Sequence, residues 1–271
     1  MSYRSFAPTI RKYLTTADQY AVELPDVLAA DITKKLALIE AANNLDLTGP
    51  SVAEATYDAI SNGKNPLDDK EVLRATVRSA LLPIVSQSGI ANVGIDRLSE
   101  TVRDNIDELV AAYQPAYDST GERFTEAHAI LTAHGITGLD DPRVSSMGLD
   151  IARANLDARE AHKILHDLHE AIGTLLYLVG RAEGTAVGAL LQNVDAGDAT
   201  ATEILDAFRG SKRADHWDIA TAGYRISLAT PTEVEARREQ AYSAQSASHR
   251  EAQRDHVQEA RAAEYVRMNA R

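Results

Sequence analysis

Along most of the chain, apolar residues recur at alternating intervals of three and four, the spacing of one helix face. The clearest run is Ile151, Ala154, Ala158, Ala161, Leu165, Leu168, Ile172, Leu175 and Val179, unbroken over four heptads. That is the pattern of a coiled-coil seam. A matching arm from about Ile95 offers Leu98, Val102, Leu109 and Ala112, is interrupted near Pro115, and resumes from a Ser119 to Glu122 capping box through Phe124, Ala127 and Leu131. The short, turn-rich link HGITGLDDPRVSSMG predicts that the two arms pair antiparallel.

Upstream, Pro25 opens a predicted helix to about Asn43 with Leu28, Ile32, Leu36 and Ile39 on one face. Ser51 and Glu54 form a capping box for a short helix to about Ser61. A further helix carrying Leu73, Val77 and Leu81 on one face runs into Pro83, after which Gly89 and Gly94 separate this region from the hairpin. At the other end, Thr230, Pro231 and Glu233 give an N-cap, a proline at the first helical position and a capping-box glutamate. From there to Arg271 the chain holds no further proline or glycine.

The expected architecture is therefore all-α: a multi-helix bundle around a long antiparallel coiled-coil hairpin, with an extended C-terminal helix. The pattern divides the chain into an N-terminal arm and helical region (1–88), the hairpin (89–182), a region of short helices packing on the bundle (183–230) and the polar Ala/Arg/Glu-rich C-terminal helix (231–271). Composition supports this, because 271 residues at 44% hydrophobic can bury a sizeable core. Aromatic residues at 5% with abundant alanine favour closely packed helices over sheets.

Charge and cysteine content narrow the function. A net charge of −12 repels phosphate backbones and anionic lipid, so nucleic acid is disfavoured as a partner. Arg4, Arg11 and Lys12 make the N-terminal arm mildly basic, which leaves a DNA-binding role as a weak third reading. With no cysteine there is no disulfide framework, thiolate-bound zinc or thiol nucleophile. No signal peptide or anchor is read at the N-terminus, and Arg181 and Glu183 divide the most apolar window, Ala171 to Val194, into pieces shorter than the roughly 20 residues of a membrane span. A cytoplasmic location, or one within an assembled particle, is expected.

The most pointed chemistry lies in AHKILHDLHEAIG, where His162, His166 and His169 share one side of a helix. With Leu165 at heptad position a and Leu168 at d, His162 and His169 fall at e and His166 at b, flanking the seam. Imidazoles one turn apart can chelate a single ion, so these three are the candidate metal ligands if a metal is held. The supporting pattern is missing: no histidine has a glutamate three residues before it, and the zinc-protease signature fails at Gly173. His128 and His134 on the first arm are further nitrogen donors that could approach the other end of the seam.

No catalytic or cofactor-binding residue and no cofactor are assigned. Phosphate-loop and nucleophile-elbow signatures are missing as well. Gly180, Gly184 and Gly188 read equally as a close-packing groove on one helix or as a helix end, loop and new start. Trp217, beside Asp215, His216 and Asp218, reads as an aromatic anchor for a bundle helix rather than part of a ligand box.

The C-terminal segment reads either as a solvated, partly frayed helix held by alanine propensity and charge pairs or as an arm that orders against another subunit. Residues 231–271 hold seven arginines and seven acidic residues, so the preceding 230 carry the entire −12. The segment lacks Leu, Ile and Phe, leaving Val234, Tyr242, Val257, Tyr265, Val266 and Met268 among alanines, too thin a stripe for a core element. The function expected is that of a structural, non-enzymatic subunit, a homo-oligomer or scaffold component engaging protein partners through helix faces and terminal arms. A virus or phage particle is one concrete setting. The alternative is a metal-binding helical-bundle protein or enzyme using His162, His166 and His169.

Overall fold

The computed structural model describes residues 6–44, 48–86, 89–209 and 214–269. Within them the chain is all-α. Its helices are α1 (Phe6–Gln19), α2 (Asp26–Asn43), α3 (Val52–Ser61), α4 (Lys70–Ser86), α5 (Gly89–Asp104), α6 (Ile106–Ala111), α7 (Gln114–Ala133), α8 (Leu149–Leu178), α9 (Ala186–Leu191), α10 (Ala201–Ala207), α11 (His216–Thr221) and α12 (Pro231–Asn269). A two-residue ribbon, β1 (Val194–Asp195) and β2 (Arg225–Ile226), pairs antiparallel with Val194 opposite Ile226. No helix among the described residues is long and apolar enough to cross a membrane. Arg4 and the side chains of Val257, Tyr265, Val266 and Met268 lie outside the described residues.

Two compact units share the chain: Met1–Arg11 with Leu24–Asn105, and Lys12–Glu23 with Ile106–Arg271. In the first unit, α2 buries the expected stripe of Leu28, Ile32, Leu36 and Ile39, and packs on α5. Gly94 does not interrupt the helix: it lies within α5, of which Gly89 is the first residue. At Gly94 the helices come so close that a Cβ would stand 2.7 Å from Ile39 Cγ1, so glycine there serves packing rather than a turn. Lys35 of α2 donates to Thr101 of α5 at 2.5 Å.

The Ser51–Glu54 capping box opens α3 as expected. On α4 the buried face is displaced from the predicted one. Val72 and Ala75 pack with Ala55 and Ala59 of α3, whereas Leu73 and Val77 are 51% and 58% exposed. Alanine at three of these four positions lets α3 and α4 close, while Leu73 and Val77 of α4 are turned outwards. Pro83 is carried within α4 rather than ending it.

The second unit is built on the hairpin of α7 and α8, and every predicted seam position of α8 is buried. The two helices run antiparallel. Lys12 of α1 pairs with Glu170 near one end of α8, where Tyr13 meets Tyr113 just before α7, while further along Arg123 of α7 reaches Glu160. The arm facing α8 begins at Gln114, not Ile95, because α5 is engaged with α2. Pro115 occupies the first turn of α7, where its missing N–H costs nothing, so the helix needs no restart at Ser119. That hydroxyl donates to the Ala116 carbonyl instead of capping. The N-terminal arm, read only as basic, is helical as α1 and buries Tyr13.

Beyond α8 the chain ends its helix at Gly180, whose φ of +71° closes the last turn, and restarts at α9 under the Thr185 cap. The glycine spacing thus marks an end, a loop and a start. Gly121 in the middle of α7 gives β2 its seat, since a Cβ there would be 2.8 Å from the Ile226 carbonyl oxygen. The cap predicted for the last helix is present: Thr230 Oγ1 accepts from Glu233 N at 3.2 Å, and the Glu233 carboxylate accepts from Thr230 N at 2.8 Å.

Candidate functional site

The three seam-flanking histidines have three different environments. His166 is exposed, His162 and His169 are half-buried, and they do not converge. Among the described residues no group of three or more His, Asp or Glu side chains is placed to hold a metal ion. His128 is buried on α7, bonded through Nε2 to Thr221 Oγ1 at 3.0 Å and set edge-on to Trp217. His134 is exposed and bonds its own helix at the Ile130 carbonyl.

What the fold does bring together is His162 with His216. The Asp215–Asp218 capping box starts α11 and fixes the first turn in which His216 sits. His216 is thereby wedged beside Tyr117, Phe124 and His162, with its Nδ1 3.2 Å from His162 Nδ1 and its Nε2 3.2 Å from the Tyr117 hydroxyl. Asn193, just before β1, extends the chain of contacts. Its Oδ1 lies 3.3 Å from the Tyr117 hydroxyl and 2.7 Å from His169 Nδ1.

One proton arrangement satisfies every one of these contacts. Asn193 Nδ2 donates to the Ala189 carbonyl, so its Oδ1 is the acceptor and takes protons from His169 Nδ1 and the Tyr117 hydroxyl. With its own proton committed, the Tyr117 oxygen accepts from His216 Nε2. A neutral imidazole carries one N–H, so His216 Nδ1 presents a lone pair to His162, whose Nδ1 donates to it. His162 Nε2, on the far side of the ring, is then the unprotonated nitrogen.

Burial favours the uncharged forms of His216 and His162. His216 is pushed down to about 3 by desolvation first and then by the neighbouring His162, His169 and His166. His162 is also lowered by burial, against the opposing pull of Asp215, and burial lowers His128 too. The Tyr117 phenol is raised, again mainly by burial.

His162 and Trp217 line an open cleft of about 830 Å³ between the hairpin link, α8 and the start of α11. Asp140, Asp141, Asp215 and Asp218 share its walls with Arg143 and Arg159. Both guanidinium groups are occupied: Arg143 bonds Asp141 and the Gly135 carbonyl, and Arg159 bonds Asp140 and the Leu139 carbonyl. Asp141 is held well below the usual carboxylate range by Arg143. The walls are therefore net acidic and also carry the Trp217 ring and the His162 imidazole. Trp217 does anchor its short helix against His128 and Phe124, as expected, and it also faces this cleft.

No protein-family model matches the chain, and neither a curated protein nor a solved structure does. Sequence reasoning singled out His162 but missed its partner, because His216 is 54 positions away. The local signal that was available is the D-x-x-D box around His216, which starts a helix and so sets the direction of its first side chain.

Proposed function

We propose that the chain is a structural, non-enzymatic subunit of a larger protein assembly, in the cytoplasm or within an assembled particle, and that further copies of itself dock on the outer part of α12. The observation that carries this reading is the contrast between the two ends of that helix. Its inner turns are fixed by buried Val234 and Ala241 and by Arg237, which donates to the Leu191 and Val194 carbonyls and to Ser227 Oγ. Arg238 pairs with Glu183, and Gln245 still reaches Thr202. From Ser246 to His256 every residue is exposed.

A helix with so few apolar residues is marginal in water unless tertiary contacts support it, so a continuation of this length is best explained as a surface for another chain. Charge favours a second copy as that chain. Residues 231–271 are neutral while the rest carries −12, so two copies repel least where these segments meet. Sedimentation equilibrium on the full chain and on a chain ending at Gln245 tests the reading. Association of the first that is lost in the second is the expected result. A full chain that stays monomeric throughout the micromolar range, like its truncated form, would sink it.

A further inference from the structure

The geometry of the His162–His216 pair fits more than a hydrogen bond. The two Nδ1 atoms are 3.2 Å apart, the ring centroids 5.1 Å, and the ring planes 77° apart. Two imidazoles aimed at one ion about 2.0–2.1 Å from each nitrogen hold those nitrogens about 3.3 Å apart and their centroids about 5 Å apart. A straight N–H···N bond at the observed separation would place the centroids at about 5.5 Å. At least one ring is therefore tilted off the line joining the two nitrogens, as both are when they share an ion.

We propose that His162 and His216 are the two protein ligands of a site for a divalent transition-metal ion of the zinc or cobalt class, beside the cleft that His162 lines. Three features of the surroundings support it. Tyr117 and Asn193 fix His216 in the tautomer whose Nδ1 lone pair faces the site, which is the role of an outer hydrogen-bond partner in a metal centre. His162 becomes the second ligand when its ring proton moves from Nδ1 to Nε2, a shift that leaves it neutral. The acidic walls, in which Asp215 immediately precedes His216, draw a cation towards the pair. With no cysteine in the chain, the donor set is nitrogen and oxygen, which suits this class of ion. The partner of His162 is therefore across the fold on α11 rather than one turn away on α8.

Titration of the full-length chain with Co²⁺, followed by visible absorption, tests the assignment. The expected result is one ion bound per chain, with binding lost in His162→Gln and unchanged in His166→Gln. Tyr117→Phe should bind about tenfold more weakly, because His216 then lacks the partner that sets its tautomer. His162 is half-buried and on the cleft wall, so its variant should keep the wild-type circular dichroism and melting profile, whereas replacing His216 risks the fold. Failure to take up one Co²⁺, equal binding by wild type and a folded His162→Gln chain, or loss of binding on replacing His166 would each overturn the site.

Discussion

Tyr13 and Tyr113 clasp each other across the second unit: the Tyr113 hydroxyl donates to the Tyr13 carbonyl at 2.6 Å, and the rings lie 4.9 Å apart. The Tyr13 hydroxyl in turn donates to the Leu109 carbonyl at 2.7 Å, and both side chains are fully buried. This ties α1 to the start of the hairpin by two bonds that exclude water. Tyr113→Phe keeps the ring and removes one bond, so it should cost about 1 kcal/mol, while Tyr113→Ala adds a cavity and should cost about 3–5 kcal/mol. Urea denaturation checks both, and equal midpoints for wild type and Tyr113→Ala would refute the clasp.

The same tyrosines make stability sensitive to alkali. Tyr13 and Tyr113 are raised above the ordinary phenol value by burial, and then by each other's neighbourhood: Tyr113 for the first, Asp18 for the second. Tyr20 is raised to about 12 by burial and by the Asp167 carboxylate that accepts its proton at 2.5 Å. The folded chain therefore holds these protons after an unfolded chain, with phenols near 10, has begun to release them. Their stabilising contribution is complete below pH 10 and is lost as pH rises through the folded-state values, about 12 for Tyr20 and higher for the two buried tyrosines. Denaturation midpoints should be level up to pH 9 and fall beyond 10, less steeply in Tyr20→Phe.

Gly121 is the point at which the ribbon meets the hairpin. A methyl group there would strike the Ile226 carbonyl oxygen at 2.8 Å and the Ile226 side chain at 2.9 Å, and the first of these is backbone that cannot rotate away. Gly121→Ala should therefore destabilise by about 1–3 kcal/mol despite alanine's better helix propensity. Gly173, also within a helix, has open space around its Cα, so Gly173→Ala should be neutral or stabilising by up to about 1 kcal/mol. Thermal melts of the two variants shifting in the same direction would contradict this.

How much of this could be read from the chain depends on the distance over which the cause acts. The α8 seam was legible position by position, because a face that is buried along its whole length imposes its period on the sequence. The start of α12 was legible too, since Thr230, Pro231 and Glu233 act within one turn. On α4 the regular four-residue spacing of Leu73, Val77 and Leu81 outweighed Val72 and Ala75 in the pattern. The contact with Ala55 and Ala59 rewards small side chains instead, and that preference is invisible until the neighbouring helix is known. The pairing of His162 with His216 depends on the hairpin link, the β1–β2 ribbon and α11 all taking their places, so no local spacing encodes it.

Arg237 and the outer turns of α12 make opposite predictions about the isolated chain. Arg237 is partly buried and its guanidinium satisfies three acceptors: the Leu191 and Val194 carbonyls and Ser227 Oγ. Arg237→Met fills similar volume but strips those acceptors of their donor, and should cost about 2–3 kcal/mol. Arg237→Lys should recover part of that loss, because an ammonium cannot span all three acceptors as a planar fork does. Removing everything after Gln245 touches no buried side chain among the described residues, so measured at a concentration too low for association it should leave the melting temperature unchanged while lowering the helical signal. If the truncation instead lowers the melting temperature of the dilute chain as far as Arg237→Met does, the outer half of α12 packs on its own chain and is no docking surface.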